Sequence, residues 1–224
     1  MGRVLGVDAC KKGWIGITDD LRAYFGATID ALVSAAERDS GLAVVAIDIP
    51  IGLSSSGPRP ADLLVRGLVG RRASSVFGTP VRQALETDDY REACAASIRI
   101  TGKSISRQAF ALRERILDVD GWARRTDRPV IEVHPELCFA TMAGSPLPHP
   151  KSTWAGIEHR RQLLRDVGVI VPSDLGYVGS VAAVDDVLDA AAASWTAARF
   201  AAGRAVSYPA RDASVSEDQA AIWA

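Results

Sequence analysis

The feature that most constrains the fold is a pair of apolar runs that each end in an aspartate. The run LAVVAIDIP at 42–50 is continuously apolar up to Asp48, and the opening run RVLGVD at 3–8 ends in Asp8. A continuous apolar run is typical of a strand that is covered on both faces. A charge at the tip of a buried strand is costly unless a partner neutralises it. We therefore expect a buried sheet in which two strand tips carry carboxylates.

Further strand and helix patterns surround these two runs. Residues 13–18 alternate, and 21–27 offers a third short strand, with Gly and Asp-Asp between them that favour an antiparallel meander. Thr28 is a suitable N-cap for the helix that follows, and Gly41 is its stop. RPVIEVHP, 128–135, returns to a strand pattern. This order predicts an α/β fold with a mixed five-stranded sheet flanked by helices.

The region between the fourth and fifth strands has a helical pattern. We interpret residues about 54–128 as a helical insertion into a single domain that spans 1–224. After the fifth strand, 169–180 is interpreted as a loop. The last segment, 214–224, is interpreted as a terminal tail, with docking on a partner or subunit as the alternative. The predicted helices of these regions cover 60–69, 80–98, 104–124, 153–167 and 182–203.

Composition narrows the class of protein. The 224 residues are 48% hydrophobic and 24% charged, as in an ordinary soluble globular protein, and the formal net charge is −1. The charge is uneven, because the segment from Arg59 to Arg128 holds 14 basic against 9 acidic residues. The three cysteines are widely spaced and form no metal motif or disulfide framework. With no signal segment and no apolar run of about 20 residues, we predict a cytoplasmic protein without membrane partners.

Carboxylates from four segments are placed to meet at one edge of the sheet. Asp8 and Asp48 end strands, Glu132 lies in the fifth strand, and Asp186 and Asp189 share a face of the last helix at i,i+3 spacing. Converging carboxylates repel each other, and divalent cations relieve the repulsion. Mg²⁺ or Mn²⁺ on Asp8, Asp48 and Asp189 would suit phosphodiester chemistry, with Glu132 and Asp186 as further catalytic acids.

Each of these acids also has a structural interpretation. Asp48 could be a turn residue before Ile49-Pro50, and Asp8 could pair with a neighbouring lysine. The acids near the start of the last helix could complement the helix dipole. Glu132 could form a salt bridge with an arginine of the insertion. The combination of acids, more than any one of them, points to a metal site.

Six polar residues are candidates for binding substrate phosphate. Paired arginines suit phosphate oxygens through the fork geometry of the guanidinium group, and solvated charge is their alternative interpretation. The histidine could position a phosphate or act as an acid or base, although a structural role is as common for such a residue. The six candidates are Arg71, Arg72, Lys103, Arg107, His134 and Lys151.

Six motifs in order give the chain a family resemblance. They are GVDACKKGW, AIDIPIGL, GRRASSVFGTP, SRQAFALRERILDVD, VIEVHPELCFATMAG and DDVLDAAAASWTA. From about Gly6 to about Pro209 the chain resembles the family known as domain of unknown function 429, described as predicted RNase H-like nucleases. The first motif departs from a GCKGGW-like turn, because Ala9 and Lys12 stand there instead, while the acid itself is kept.

The resemblance implies an RNase H-like fold and, more distantly, a similarity to RuvC-type resolvases. Their first-strand aspartate would correspond to Asp8, their fourth-strand acid to Asp48, and the acids of their last helix to Asp186 and Asp189. The EVHPE motif of the family makes Glu132 a further ligand candidate.

The leading hypothesis from the sequence is a divalent-metal-dependent nuclease acting on nucleic acid. One alternative keeps the fold without the chemistry, as an inactive nucleic-acid or partner-binding module. Another keeps the metal and changes the substrate, as a nucleotide hydrolase or phosphotransferase. The sequence contains no GxSxG elbow, no GxxxxGK[ST] loop and no HExxH motif, so the corresponding hydrolase, nucleotide-binding and metalloprotease schemes find no support.

Overall fold

A computed structural model describes residues 2–210 and 220–224 of the chain. Within these residues seven strands form one mixed sheet in the order β3-β2-β1-β4-β5-β7-β6. The strands are β1 (Arg3–Cys10), β2 (Gly13–Thr18), β3 (Ala23–Gly26), β4 (Leu42–Ile47), β5 (Val130–Val133), β6 (Ser207–Tyr208) and β7 (Ile222–Trp223).

The pairing of the strands brings several strand ends to one edge of the sheet. β1, β2 and β3 form the predicted antiparallel meander. β4 runs parallel to β1, β5 parallel to β4, and β7 parallel to β5, while β6 is antiparallel to β7. Because Val7 of β1 pairs with Ile47 of β4, the residues that follow them, Asp8 and Asp48, lie side by side.

Ten α-helices and one 3₁₀ helix are present in the described part of the chain. They are α1 (Ile29–Glu37), α2 (Pro60–Leu68), the 3₁₀ helix (Gly70–Ser75), α3 (Arg82–Leu85), α4 (Tyr90–Thr101), α5 (Arg107–Ala111), α6 (Arg113–Ala123), α7 (Pro135–Ala143), α8 (Trp154–Asp166), α9 (Tyr177–Val181) and α10 (Val184–Ala201). As predicted, Thr28 caps α1, its hydroxyl accepting a hydrogen bond from the Ala31 N–H.

The sheet is covered on both faces. On one face the core joins Val44 and Ala46 of β4 to side chains of α7, α8 and α10. On the other face Val45 and Ile47 pack with side chains of α1 and α6. The alternate residues of β4 thus enter two different cores, which explains why the sequence of this strand is apolar without interruption.

The sheet is larger than the five strands expected from the sequence. β6 and β7 have only two residues each, too few for an alternating pattern to stand out. The interpretation of 214–224 as a tail is wrong for its end, because Ile222 and Trp223 pair with β5 and extend the sheet. Residues 214–219 lie outside the described residues.

Several helix boundaries also differ from the expected ones. The expected helix over 80–98 is two helices, α3 and α4, and that over 104–124 is α5 and α6. α7 was not predicted, because its run from Leu137 to Ala140 is buried throughout and has no polar face. α9 lies within the expected loop at 169–180. No helix in the described ranges combines the length and apolar character needed to cross a membrane.

α10 approaches β1 unusually closely at Gly6. A Cβ atom added to Gly6 would lie 1.9 Å from the Ser194 nitrogen and 2.3 Å from the Ala190 carbonyl oxygen, both in the backbone of α10. The facing stretch of α10, Ala190–Ala193, is fully buried and carries only methyl side chains. This contact sets the distance between the last long helix and the first strand.

We therefore expect Gly6→Ala to lower the free energy of unfolding by about 3 kcal/mol, the upper end for an overpacked core, because backbone atoms cannot move aside for a methyl group. Urea denaturation measures this difference. Gly41→Ala is the matched control, since a Cβ at Gly41 meets no atom within 4 Å. Equal stability of the two variants would contradict the close packing of α10 on β1.

Candidate metal centre

Three carboxylates from distant parts of the chain meet at the edge of the sheet. Asp8 lies on β1, Asp48 follows β4 directly, and Asp189 lies in the second turn of α10. One oxygen of each lies within 4.8 Å of one oxygen of each of the others. Asp8 and Asp189 are buried and Asp48 is half-buried. The described residues thus contain a compact cluster of three carboxylates.

Backbone contacts fix the positions of these three side chains. The Asp48 N–H donates to the Val7 carbonyl oxygen at 3.0 Å, which continues the β1–β4 pairing to the strand tips. The Asp8 carboxylate accepts a hydrogen bond from the Ala9 N–H at 2.7 Å. Asp189 directly precedes the buried alanine stretch of α10. The packing of this stretch over Gly6 brings Asp189 to the cluster. The cluster therefore depends on the fold rather than on a local loop.

Burial and mutual repulsion weaken the ionisation of the cluster. Burial, followed by the negative charge of Asp48, raises the pKa of Asp8 well above its usual range. Burial and the charge of Asp189 raise the pKa of Asp48 to about 8. Burial raises the pKa of Asp189 to about 6, against the opposing effect of Lys151. Bringing these acids together without a cation costs free energy of folding.

The chemistry of the cluster fits a divalent cation. Its donors are carboxylate oxygens alone, which hard cations such as Mg²⁺ prefer. Ligands on opposite sides of an octahedral Mg²⁺ ion lie about 4.2 Å apart, twice the metal–oxygen distance. The observed limit of 4.8 Å is close to that span. Asp8, Asp48 and Asp189 could therefore hold a metal ion after small side-chain adjustments.

A cleft of about 440 Å³ opens onto the three carboxylates. The segment after the 3₁₀ helix forms one wall, and the starts of α5 and α6 form another. Many polar and charged side chains line it beside the cluster, among them Arg72, Gln108, Arg115, His134, Lys151 and Asp186, together with the acids Asp62, Glu132 and Glu136. A cleft of this size holds a small molecule or a short stretch of an extended polymer.

Glu132 lies nearby but is engaged in a different interaction. Both of its carboxylate oxygens accept hydrogen bonds from Nη2 of Arg59, at 2.7 and 2.8 Å, and one also accepts from the Ile51 N–H at 2.7 Å. Burial raises the pKa of Glu132 to about 7, while the Arg59 guanidinium acts in the opposite direction. The salt bridge between Glu132 and an arginine of the helical insertion (the helical segment, about 54–128), which the sequence suggested as the structural alternative, is therefore present.

Asp186 lies at the mouth of the cleft and caps α10. Its carboxylate accepts a hydrogen bond from the Ala183 N–H at 3.1 Å, so this acid stabilises the first turn of the helix. It lines the cleft but is outside the cluster of three. Of Asp186 and Asp189, it is thus Asp189 that joins Asp8 and Asp48 in the cluster.

His134 and Arg72 line the cleft among the six phosphate-binding candidates. His134 directly follows β5, and its Nε2 lies 3.4 Å from the Ser75 carbonyl oxygen. Its Nδ1 is buried and has no hydrogen-bond partner within the described residues. Burial lowers the pKa of His134 to about 4, so the ring is neutral at physiological pH. It can donate or accept a hydrogen bond, but it adds no positive charge.

Lys151 makes the closest contact between a candidate and the cluster. Its Nζ donates to Oδ2 of Asp189 at 2.6 Å and lies 3.4 Å from Oδ2 of Asp185. The negative charges of Asp189 and Asp8 raise the pKa of Lys151 above its usual value, although burial acts in the opposite direction. Lys151 is therefore charged at neutral pH.

The other three candidates do not line the cleft as the described residues form it. Arg71 and Lys103 are exposed. Arg107 stacks on the ring of Tyr90, with its guanidinium carbon 4.6 Å from the ring centroid. Lys103 and Arg107 both follow the end of α4.

Sequence reasoning missed Arg115 and Glu136, which line the cleft, whereas Gln108 belongs to a polar cluster that it considered for phosphate contact. Gln108 and Arg115 line the cleft, and Arg115 donates a hydrogen bond to the Cys10 carbonyl oxygen. Both lie in the SRQAFALRER stretch, whose polar residues could have been read as one helical face. Glu136 is buried and pairs with Arg160, whose Nη2 donates at 2.6 Å. Its position after His134-Pro135 was visible in the sequence, but its partner was not.

Five of the 14 basic residues in the helical segment form ion pairs with described acidic residues. Most of these partners belong to the same segment, so the pairs leave its basic excess largely in place. The pairs include Arg59–Glu132, Arg82–Asp120, Arg113–Asp88, Arg124–Asp120 and Arg128–Glu37.

Comparison with known proteins identifies a family for most of the chain. The family model described as Protein of unknown function (DUF429) matches residues 6–214. This span contains Asp8, Asp48 and Asp189. No curated protein and no solved structure matches the chain.

The raised pKa of Asp48 predicts a pH dependence of stability. The folded protein holds the proton of Asp48 up to about pH 8, whereas the unfolded chain releases it near its usual pKa of 3.8. The metal-free protein should therefore lose stability as the pH rises between these values. We expect Asp48→Asn to flatten this dependence and to raise the free energy of unfolding at pH 8 by about 1–3 kcal/mol.

Chemical denaturation in a metal chelator across this pH range provides the measurement. Asp127→Asn is the control, because Asp127 is exposed and its substitution should leave the slope as in the wild type. A slope that Asp48→Asn does not change would mean that Asp48 ionises normally in the folded protein.

A second prediction concerns the buried ion pair of Arg59. Arg59→Met would leave Glu132 and Asp62 buried without their cation, and we expect it to lower the free energy of unfolding by about 3–5 kcal/mol. Arg66→Met, at an exposed position of the same helix α2, should change it by less than about 0.5 kcal/mol. Thermal and urea unfolding of the two variants compare these costs; similar values would show that the Arg59 pair is dispensable.

Proposed function

This chain belongs to the family described as Protein of unknown function (DUF429), and we propose that it is a divalent-metal-dependent nuclease that hydrolyses phosphodiester bonds of nucleic acid. The convergence of Asp8, Asp48 and Asp189 at the bottom of a polar cleft carries this proposal. Three converging acids, two of them buried, are an unfavourable arrangement that a bound cation would make favourable.

In the proposed reaction the three carboxylates would hold Mg²⁺ or Mn²⁺. Bound cations of this kind neutralise phosphate charge and activate water for attack on phosphorus. Because Asp8 and Asp48 lie on rigid strand tips and Asp189 lies on a buried helix, the three oxygens would keep their relative positions during the reaction. Such preorganisation lowers the cost of stabilising charge in the transition state.

The walls of the cleft would bind the substrate backbone. Arg72, Arg115 and Lys151 line it and provide positive charge for phosphate oxygens. Neutral His134 would accept a hydrogen bond from a sugar hydroxyl at its buried Nδ1, which has no protein partner within the described ranges, because its Nε2 donates to the Ser75 carbonyl oxygen. Asp186, at the mouth, would be the next acid available to the cluster.

We also propose that the sheet has an RNase H-like arrangement. Three antiparallel strands followed by two parallel ones, in the order β3-β2-β1-β4-β5, support this assignment, with acids at the tips of β1 and β4. The acid on α10, packed across β1, supports the more distant similarity to RuvC-type resolvases.

A second candidate function is metal-dependent hydrolysis of a nucleotide. The cleft volume of about 440 Å³ lies within the range of small-molecule sites, which suits a free nucleotide as well as a short stretch of polymer. The same carboxylates would hold the cation. Substrate tests therefore need free nucleotides beside single-stranded and duplex DNA and RNA.

The first experiment is calorimetric titration of Mn²⁺ into the metal-free full chain. We expect saturable binding that Asp189→Asn and Asp8→Asn each weaken at least about 100-fold, because each removes a ligand from a small set. Asp127→Asn should bind as the wild type does. Absence of Mn²⁺ binding by the wild type would contradict the proposal.

The second experiment measures hydrolysis of the substrate panel with Mn²⁺ or Mg²⁺. Asp189→Asn should reduce turnover at least about 1,000-fold, since it removes a cation ligand without a change in size. Activity that persists unchanged in Asp8→Asn and Asp189→Asn would belong to a contaminant or to another site. Metal-independent nucleic-acid binding that survives both changes would instead identify a binding module.

A further inference from the structure

Lys151 places its positive charge directly against the cluster of three carboxylates. Its Nζ lies 2.6 Å from Oδ2 of Asp189, which is only 2% exposed and belongs to the cluster of three. Within the described residues, no other basic side chain has a salt bridge to Asp8, Asp48 or Asp189. The ammonium group therefore pairs with Asp189 and leaves Asp8 and Asp48 without a basic partner among the described residues.

The same contact stands in the way of a divalent cation. A cation held by Asp189 would share the carboxylate to which the ammonium donates, and like charges this close repel each other strongly in a poorly hydrated site. Lysine also presents its charge as a single point, so it gives up one partner for another more readily than an arginine held by two parallel hydrogen bonds.

The side chain of Lys151 has room to change its rotamer, whereas the backbone beside it is held by hydrogen bonds. It lies in the connection between α7 and α8, and its side chain is 41% exposed. The preceding carbonyl, of Pro150, accepts hydrogen bonds from the Thr153 N–H and hydroxyl at the start of α8. A change of side-chain rotamer therefore suffices to withdraw the ammonium without any change in the helices.

We propose that Lys151 is a displaceable internal cation, which occupies the carboxylate cluster in the metal-free protein and turns to a substrate phosphate when a divalent cation binds. This inference rests on the proposed function, because it assumes that Asp8, Asp48 and Asp189 hold the cation. It assigns Lys151 two successive partners, Asp189 and a phosphate group. Lys151 can reach both partners from its position, since it lines the cleft together with Arg115 and His134.

The first test uses a charge-deleting variant and the affinity for Mn²⁺. Lys151→Met keeps the length of the side chain and removes its competing charge, so Mn²⁺ should bind about tenfold more tightly than to the wild type. Lys151→Arg keeps the charge and should lack this gain. Lys103→Met is the matched control at an exposed lysine outside the cleft, and its affinity should equal that of the wild type.

The outcomes separate this inference from the proposed function. If Asp189→Asn abolishes Mn²⁺ binding while Lys151→Met leaves the affinity unchanged or weaker, Lys151 does not compete and only this inference is wrong. If neither the wild type nor Lys151→Met binds Mn²⁺, the proposed function and this inference both fail. Circular dichroism of each variant verifies that the fold is kept.

A second test needs no variant. Amine acetylation followed by mass spectrometry reports how freely each lysine reacts in the wild-type chain. Adding Mn²⁺ should speed the labelling of Lys151 about tenfold, by the reciprocity of the two binding events, and should leave Lys103 unchanged. Equal labelling of Lys151 with and without Mn²⁺, under conditions where Mn²⁺ is bound, would overturn the inference.

Discussion

The close contact between α10 and β1 is the constraint on which the rest of the structure depends. Because Gly6 lacks a side chain and α10 presents methyl groups, helix and strand backbones nearly touch. This distance places Asp189 beside the tip of β1, where Asp8 lies. The parallel pairing of β1 with β4 then brings Asp48 to the same point. A cluster of like charges thus results from packing that is itself entirely apolar.

The buried acids of the molecule fall into two groups with opposite electrostatics. Glu132 and Glu136 are each held by a buried arginine, Arg59 or Arg160, and such pairs need both members to be tolerated. Asp8 and Asp48 have no such partner among the described residues, and the negative charge of a neighbouring carboxylate adds to burial in raising the pKa of each. The contrast distinguishes acids that join segments of the fold from acids that remain available to a cation.

Much of the sheet could be predicted because its strands are long enough to show a pattern. The continuous run of β4 and the meander before it were visible, whereas β6 and β7, with two residues each, depend on partners distant in sequence. Asp8 and Asp48 could be placed together because the apolar run of each strand ends in its aspartate. Glu132 could not be told apart from them, since Arg59, its partner, lies 73 residues away.

Asp186 and Asp189 show a similar limit at closer range. Their i,i+3 spacing puts both on one helix face, so the sequence cannot tell their roles apart. How deeply α10 lies in the fold decides that Asp186 caps the helix and that Asp189 joins the cluster.

The wide spacing of the cluster along the chain has a consequence for folding. Asp8 and Asp189 stand at opposite ends of a loop of about 180 residues, so no partly folded fragment can present all three carboxylates. An ion held there would act as a removable cross-link between the first strand and the last long helix. Because only the complete fold would bind the ion, binding would stabilise that fold by mass action. Uptake of the ion would then report that the whole topology is in place.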